Sequence, residues 1–147
     1  MKIQAIMAVD EKGGIGFQNK LLKHNSQDLA FFSGLTQGKI CLVGHNTLKT
    51  LPNLVNRVIV EDDRDLTAQG MFLSLAYSES DIVIIGGAKT YEKYASLTSE
   101  LYITTHKNFV AEECDTYVNL NSFDHLVNRV TILENKDIKI EVWKWKE

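Results

Sequence analysis

The chain has 147 residues, of which 44% are hydrophobic and 24% charged, a balance typical of a globular protein. This length predicts a single domain over residues 1–147 with a substantial core. A net charge of −3 favours neither nucleic acid nor an anionic membrane surface as a partner, and no apolar run is long enough to span a bilayer.

The first half of the chain alternates between strand and helix patterns. Residues 3–9 and 40–43 are apolar runs typical of buried strands, and residues 58–60 form a shorter run of the same kind. Between them, residues 28–35 have the apolar spacing of a helix, and residues 46–51 have the composition of a short one. This alternation indicates an α/β fold.

The second half continues the alternation and ends differently. The predicted elements are a short helix at 74–78, strands at 82–85 and 101–105 around a helix at 88–95, a short strand at 116–118, a turn at 122–127 and a strand at 138–145. Short apolar strands separated by helices predict a sheet with parallel central strands. The last strand alternates polar and apolar residues, which is typical of an antiparallel strand with one solvent-facing side.

The two cysteines, Cys41 and Cys114, lack metal-binding spacing, and no metal site is predicted. Cys41 lies in an apolar strand and is expected to be buried. This cysteine usage fits a reducing compartment, so we expect a cytoplasmic protein. The amino terminus has the pattern of a strand and lacks the small-residue cleavage site of a signal peptide.

Glycines follow three of the predicted strands. Residues 10–16 form a loop with three glycines that we expect to be flexible, Gly44 separates a strand from a helix, and Gly86 and Gly87 do the same further on. Ligands bind at the carboxyl ends of strands in such sheets, where glycines leave backbone amides open to phosphate groups. The pattern favours a nucleotide site, and the alternative is that these glycines only form turns.

Asp28 is the candidate catalytic carboxylate. It begins a predicted helix that places Leu29, Phe32 and Leu35 on one side. An acid in the first turn can simply complement the helix dipole. The aromatic residues beside it favour a second interpretation, in which a carboxylate in an apolar pocket holds a planar heterocycle by paired hydrogen bonds. Burial would raise its pKa towards a range useful for acid–base chemistry.

The order of these motifs resembles the dihydrofolate reductase family along nearly the whole chain. The matching segments are residues 15–21, 28–32, 43–47, 84–92, 101–104 and 114–117. The resemblance implies a three-layer α/β fold, with a central mostly parallel sheet, an antiparallel C-terminal strand and helices on both faces.

The resemblance also implies a catalytic residue, Asp28, and two sets of binding residues. The implied substrate-binding residues are Ile6, Leu21, Asp28, Phe32, Leu51, Ile85 and Thr104. The implied cofactor-binding residues are Ile6, Ile15, Gly16, Asn19, Gly44, His45, Asn46, Thr47, Gly86, Gly87, Ala88, Lys89, Thr90 and Tyr91.

The implied reaction transfers a hydride from NADPH to dihydrofolate and gives tetrahydrofolate. Asp28 would bind the amino-pyrimidine edge of the pterin and raise the basicity of the ring, while water delivers the proton. Thr104 matches a threonine that hydrogen-bonds this carboxylate. Gly86 and Gly87 match a diglycine joined by a cis peptide bond.

The sequence departs from the family's pattern in the substrate region. Leu22 and Lys23 stand where the family usually has Pro-Trp. Leu54 stands where the family has an arginine that pairs with the glutamate tail of folate, and Arg57 would reach that tail only after a shift in register. These differences make recognition of the tail an open question.

A further departure concerns the cofactor. Residues 61–63 are all acidic, where family members usually present Ser, Thr or Arg to the adenosine 2′-phosphate. An acid beside a ribose favours a free 2′-hydroxyl, whereas His45, Arg64 and Lys89 could supply positive charge. NADPH is the expected cofactor, with NADH as the alternative.

Two other functions stay open at this point. One is a related reductase of the same fold acting on another heterocycle, such as a pyrimidine of riboflavin synthesis, which Lys23 and Leu54 would fit. The other is a non-catalytic binding module on this scaffold, which the presence of Asp28 and Thr104 disfavours. For the leading hypothesis we expect a monomer whose partners are small molecules, with neither nucleic acid nor membrane involved.

Overall fold

The computed structural model describes residues 2–16, 25–107, 109 and 116–145. Several positions singled out in the sequence lie outside the described residues, namely Asn19, Leu21, Leu22, Lys23 and Cys114.

The described residues form nine strands. They are β1 (Ile3–Val9), β2 (Gly14–Gly16), β3 (Ile40–Val43), β4 (Val58–Glu61), β5 (Ile82–Ile84), β6 (Glu100–His106), β7 (Thr116–Tyr117), β8 (Asn128–Glu134) and β9 (Ile138–Lys144). Seven of them make one sheet in the order β4-β3-β5-β1-β6-β9-β8, and β2 pairs with β7 separately. The strands from β4 to β6 in this order are parallel, whereas β9 and β8 are antiparallel. The predicted sheet is therefore confirmed.

Helices cover both faces of this sheet. They are α1 (Ser26–Thr36), α2 (His45–Leu48), α3 (Ala68–Leu75) and α4 (Ala88–Tyr94), with 3₁₀ turns at Ala76–Ser78, Ala95–Leu97 and Leu120–Phe123. Side chains of α3 and α4 pack into one apolar cluster, which we call the α4-side cluster. Side chains of α1 and α2 pack on the other face against an α1-side cluster formed by Ile6, Cys41, Val43, Val83 and Ile85. The three-layer fold is confirmed.

Burial on both faces explains the apolar runs of the central strands. In β3, Ile40 and Leu42 join the α4-side cluster, whereas Cys41 and Val43 join the α1-side cluster. A strand in this position must be apolar at every residue, because successive side chains point to opposite faces. Cys41 is fully buried, as predicted.

Helix α1 differs from its expected apolar side. Phe31, Phe32 and Leu35 pack against the α1-side cluster, but Leu29 is 44% exposed. The side chain that turns inwards from the first turn is the polar Asp28 instead. The prediction for Leu29 was wrong because a buried polar residue takes the inward position that the apolar spacing assigned to leucine.

Most predicted boundaries hold within one or two residues, and helix ends account for the larger differences. The helix predicted at 46–51 ends at Leu48. It continues only as turns before Pro52, since the residue before a proline disfavours helical geometry. The turn predicted at 122–127 is a 3₁₀ turn over Leu120–Phe123. The helix predicted at 74–78 is the end of a longer one, α3, whose start is marked by Thr67, which accepts a hydrogen bond from the Gly70 amide at 3.0 Å.

Strand β8 was not predicted. Its apolar residues Val130 and Ile132 are 58% and 49% exposed at the edge of the sheet. The β-branched residues 130–132 and the alternation over 129–132 were a usable signal that the sequence analysis did not use. None of the helices in the described part of the chain is long and apolar enough to cross a membrane.

Asp62 anchors the end of β4 to α4. Its buried carboxylate accepts a hydrogen bond from the Tyr94 hydroxyl at 2.5 Å and pairs with Lys93 Nζ at 2.9 Å. Burial and the adjacent carboxylate raise the pKa of Tyr94, so its hydroxyl remains a proton donor. This contact fixes the carboxyl end of an edge strand.

We predict that Tyr94→Phe lowers the free energy of unfolding by about 1–3 kcal/mol, because a buried carboxylate loses a hydrogen-bond donor. Urea denaturation monitored by circular dichroism measures the change. Tyr77→Phe is the matched control, since Tyr77 is 85% exposed and its variant should unfold like the parent. Equal stability of both variants would contradict the anchoring role of Tyr94.

Candidate active site

Asp28 and Thr104 meet on the α1 side of the sheet. Helix α1 begins at the N-cap Asn25, whose side-chain oxygen accepts hydrogen bonds from the Gln27 and Asp28 amides at 3.0 and 3.1 Å. This cap sets the first turn so that Asp28 points inwards. There its carboxylate accepts a hydrogen bond from the Thr104 hydroxyl of β6 at 2.6 Å. The contact expected between these residues is confirmed.

The surroundings of Asp28 in the folded protein favour the protonated form of its carboxyl group, compared with the same group in water. The residue is only 8% exposed, and this burial raises the pKa of its carboxyl group above the ordinary value. The Thr104 hydrogen bond and electrostatic interaction with His106 act in the opposite direction and stabilise the charged form. The net shift is upward, which brings the carboxyl group closer to the pH range in which it can exchange protons.

Apolar side chains form the wall beside this carboxylate. Four of the implied substrate-binding residues, Ile6, Phe32, Leu51 and Ile85, belong to the α1-side cluster or pack against it. With Asp28 and Thr104 included, six of the seven implied substrate-binding residues therefore lie on one face of the sheet. Such a surface suits a flat heterocycle, which packs against apolar and aromatic side chains and presents its polar edge to a carboxylate.

Two aromatic residues of this wall were not among the predicted site residues. Phe31 and Tyr102 have ring centroids 5.7 Å apart and both pack against the α1-side cluster. A signal for Tyr102 existed, because it lies two residues before Thr104 in a strand and must share its face. Phe31 is one of the aromatic residues noted beside Asp28 in the sequence, but only Phe32 was assigned to the site.

A second feature lies at the carboxyl ends of β3 and β5, where Gly44, Gly86 and Gly87 form what we call the glycine cradle. The Gly44 amide donates a hydrogen bond to the Gly86 carbonyl at 2.8 Å. A Cβ atom on Gly44 would lie 2.5 Å from Thr90 Oγ1, and one on Gly87 would lie 3.0 Å from Thr47 Oγ1. Gly44 therefore has no room for a side chain unless Thr90 shifts, and a side chain at Gly87 would crowd Thr47. The peptide bond between Gly86 and Gly87 is cis.

The remaining implied cofactor residues surround this cradle in different ways. His45, Asn46 and Lys89 are exposed. Tyr91 is buried, and its hydroxyl donates a hydrogen bond to the Ile6 carbonyl at 2.6 Å, so it supports the cradle from within the fold. Thr47 and Thr90 lie directly against the glycines. Ala88 is the first residue of α4, which follows Gly87.

The glycine-rich loop at 10–16, which the sequence predicts to be flexible, forms a hydrogen-bonded turn. The Asp10 carboxylate accepts hydrogen bonds from the Lys12 and Gly14 amides at 2.8 and 2.9 Å. Gly13 has a φ of +83°, a conformation that favours glycine. The turn leads into β2, where Ile15 packs against the α4-side cluster.

The segment expected to meet a substrate tail is tied into the fold. Leu54 packs against the α1-side cluster. The Arg57 guanidinium donates hydrogen bonds to the Ser33 carbonyl and hydroxyl at 3.0 and 2.8 Å, to Thr36 Oγ1 at 3.1 Å and to the Val55 carbonyl at 3.1 Å. Arg57 thus holds the carboxyl end of α1, where exposed carbonyls attract a cation.

These features together define a class of protein. Parallel strands carry a glycine cradle at their carboxyl ends. A buried carboxylate of α1 with an aromatic wall beside it is hydrogen-bonded to β6, which lies two strands from β5 in the same sheet. This is the arrangement of an α/β enzyme that binds a nucleotide cofactor next to a small heterocyclic substrate.

Comparison with known proteins identifies the family. The profile of the dihydrofolate reductase family matches residues 2–142, and the chain belongs to this family. It is 26% identical to dihydrofolate reductase type 9 of Escherichia coli over an alignment of 162 positions, which covers 96% of this chain and 92% of that protein. It is 32% identical to dihydrofolate reductase of Neisseria meningitidis serogroup A, covering 71% of this chain and 72% of that one.

A solved structure shows the same fold. Dihydrofolate reductase from Enterococcus faecalis, determined in complex with NADP(H) and the compound RAB-propyl, superimposes with a TM-score of 0.72. The alignment covers 99% of this chain and 97% of that chain at 24% sequence identity. As a member of this family, the chain is an oxidoreductase.

We predict that Thr104→Val raises the pKa of Asp28 further, because the variant loses the hydroxyl group that stabilises the charged carboxylate. A pH titration of the aspartate side-chain carbons by NMR measures the change, with Asp28→Asn identifying the resonance. Thr105→Val is the control, since successive strand residues point to opposite faces. An unchanged or lowered pKa in Thr104→Val would refute the assigned contact.

Proposed function

We propose that the chain catalyses the reduction of dihydrofolate to tetrahydrofolate with NADPH, and that Asp28 is its catalytic carboxylate. Family membership supports the reaction. The observation that carries the assignment of Asp28 is its burial with a hydrogen bond to Thr104 inside an apolar and aromatic wall. Burial disfavours the charged form of a carboxylate, so its position beside apolar side chains carries a free-energy cost that a catalytic role would explain.

The glycine cradle fits the proposed cofactor, which supplies the hydride when bound. The N-cap residues of α2 and α4 are Gly44 and Gly87, and neither offers a side chain to the amides of the first turn. Those amides have no partner within their own helix, so they favour an anionic group. The proposed contacts of the phosphates are the cradle glycines and Thr47.

Asp28 is proposed to orient the substrate ring. A carboxylate can accept two parallel hydrogen bonds from the amino group and ring nitrogen of a pterin. Thr104 holds the carboxylate in place, and the apolar wall that includes Phe32 and Ile85 excludes water from the ring faces. Negative charge on Asp28 then raises the basicity of the ring, and water delivers the proton. Positioning of the substrate and cofactor supplies most of the remaining rate enhancement.

The fixed position of Arg57 favours recognition of the ring over recognition of a tail. Its guanidinium nitrogens already donate hydrogen bonds to α1 and to the preceding loop. This observation keeps a second candidate open, a reductase of a related heterocycle without a glutamate tail. The ratio of kcat/KM for dihydrofolate and for a dihydropterin lacking the tail separates the two, since a tail site would favour dihydrofolate strongly.

We further propose that residues 1–147 act as one monomeric domain in the cytoplasm, with small molecules and no nucleic acid as partners. A single sheet that takes strands from residue 3 to residue 144 supports one domain. The net charge of −3 supports the absence of nucleic acid.

We predict that Asp28→Asn lowers kcat/KM for dihydrofolate by about 100-fold or more, because the charge that assists ring protonation is lost. The oxidation of NADPH, followed by its absorbance, measures the rate. NADPH affinity should stay within about twofold of the parent value, since Asp28 is not one of the residues that form the cradle. Near-parental turnover at neutral pH would remove Asp28 from the catalytic role.

The same variant should become more stable relative to the parent as pH rises. The raised pKa means that the folded parent loses stability as pH increases from the unfolded value near 3.8 through the higher folded value. Asparagine carries no such penalty. Thermal unfolding across this pH range should therefore show a difference between variant and parent that grows with pH.

We predict that Gly87→Ala weakens NADPH binding by on the order of tenfold, because the new Cβ atom crowds Thr47 and distorts the cradle. Fluorescence titration with NADPH measures the affinity. Gly34→Ala in α1 is the matched control, since a Cβ atom there meets nothing within 4 Å. Equal affinities in the two variants would exclude the cradle from the cofactor site.

A further inference from the structure

We infer that Glu61, the last residue of β4, faces the adenosine ribose of the cofactor and weakens the preference for NADPH so that NADH is also accepted. This inference rests on the proposed function, because it assumes that the glycine cradle holds the cofactor phosphates. It concerns a residue outside the cradle that selects between two cofactors.

The order of strands sets the direction in which a dinucleotide must run. Thr104, the partner of Asp28, lies on β6, and the glycine cradle lies at the ends of β5 and β3, with β1 between the two features. A cofactor whose reactive end lies beside Asp28 and whose phosphates lie in the cradle has its other half beyond β3. The next strand in that direction is β4.

Glu61 lies beside the cradle on this strand. It is the register partner of Val43, the residue before Gly44, and neighbouring strands lie about 4.8 Å apart. Its carboxylate pairs with Nδ1 of His45, the residue after Gly44, at 3.3 Å, and both side chains are 46% exposed. The pair therefore forms an accessible rim next to the cradle.

The neighbouring acids of this segment have other partners. Asp62 is buried and is bound by Tyr94 and Lys93. The Asp63 side chain accepts a hydrogen bond from the Asp65 amide at 2.9 Å, within its own turn. Of these three consecutive acids, Glu61 is the one on the strand beside Gly44, and the anchoring of Asp62 fixes the strand end that carries it.

The charge of Glu61 decides what it can recognise. A carboxylate accepts hydrogen bonds from a free ribose 2′-hydroxyl and repels a 2′-phosphate. The ring of His45 is already paired with Glu61. The rim therefore offers no uncompensated cation to the 2′-phosphate, and the exposed side chains of Arg64 and Lys89 are the basic groups left to bind it. The difference in affinity between the two cofactors is expected to be small.

Two nucleotides test the inference without catalysis. Calorimetric titration of the full chain compares ADP with 2′,5′-ADP, which differ by the phosphate on the ribose 2′ oxygen. Glu61→Gln should tighten binding of 2′,5′-ADP by about fivefold and should not tighten binding of ADP. Glu141→Gln is the control, because it removes the same charge from β9 on the far side of β6.

Each outcome decides one claim. The inference is supported if Glu61→Gln tightens binding of 2′,5′-ADP and leaves the affinity for ADP unchanged or lower, while Glu141→Gln changes neither affinity. In Glu61→Gln, kcat/KM with NADH should then fall relative to kcat/KM with NADPH. Equal shifts for both nucleotides, or none, overturn the role of Glu61 while leaving the cofactor site in place. If the parent chain binds neither nucleotide, the cradle is not the cofactor site and both proposals fail. A thermal melt confirms that the variants are folded.

Discussion

The hydrogen bond between Asp28 and Thr104 is the contact around which the proposed active site is arranged. It joins the first turn of α1 to β6, residues 76 positions apart in the chain. A buried carboxylate costs free energy unless hydrogen bonds stabilise it. The surrounding structure therefore has to hold both partners firmly, through the Asn25 cap on one side and the pairing of β6 with β1 and β9 on the other.

The parallel sheet places the second half of the site, which is the glycine cradle. Parallel strands all present their carboxyl ends at the same edge, so the cradle glycines after β3 and β5 and the acid that ends β4 meet there. Steric limits then constrain the cradle, since a side chain at Gly44 would clash with Thr90 and one at Gly87 would crowd Thr47. A rigid frame of this kind suits a reaction in which positioning supplies most of the rate enhancement.

The sequence predicted those features that local chemistry determines. Buried strands such as β3 and β5 are apolar at every position, and the glycines after them mark the cradle directly. The contact of Asp28 with Thr104 came from the family resemblance, because no local rule joins distant residues. Strand β8 and the exposure of Leu29 were missed, since an edge strand and a buried acid both break the usual relation between polarity and exposure.

The most direct test of the central claim is to mix the purified chain with dihydrofolate and NADPH and to measure both products. The account predicts that NADPH oxidation and tetrahydrofolate formation proceed in equal amounts and require all three components. Binding of both ligands without turnover would contradict it and would point to a binding module. NADPH oxidation with a tail-free heterocycle but not with dihydrofolate would contradict the proposed substrate and keep the reductase chemistry.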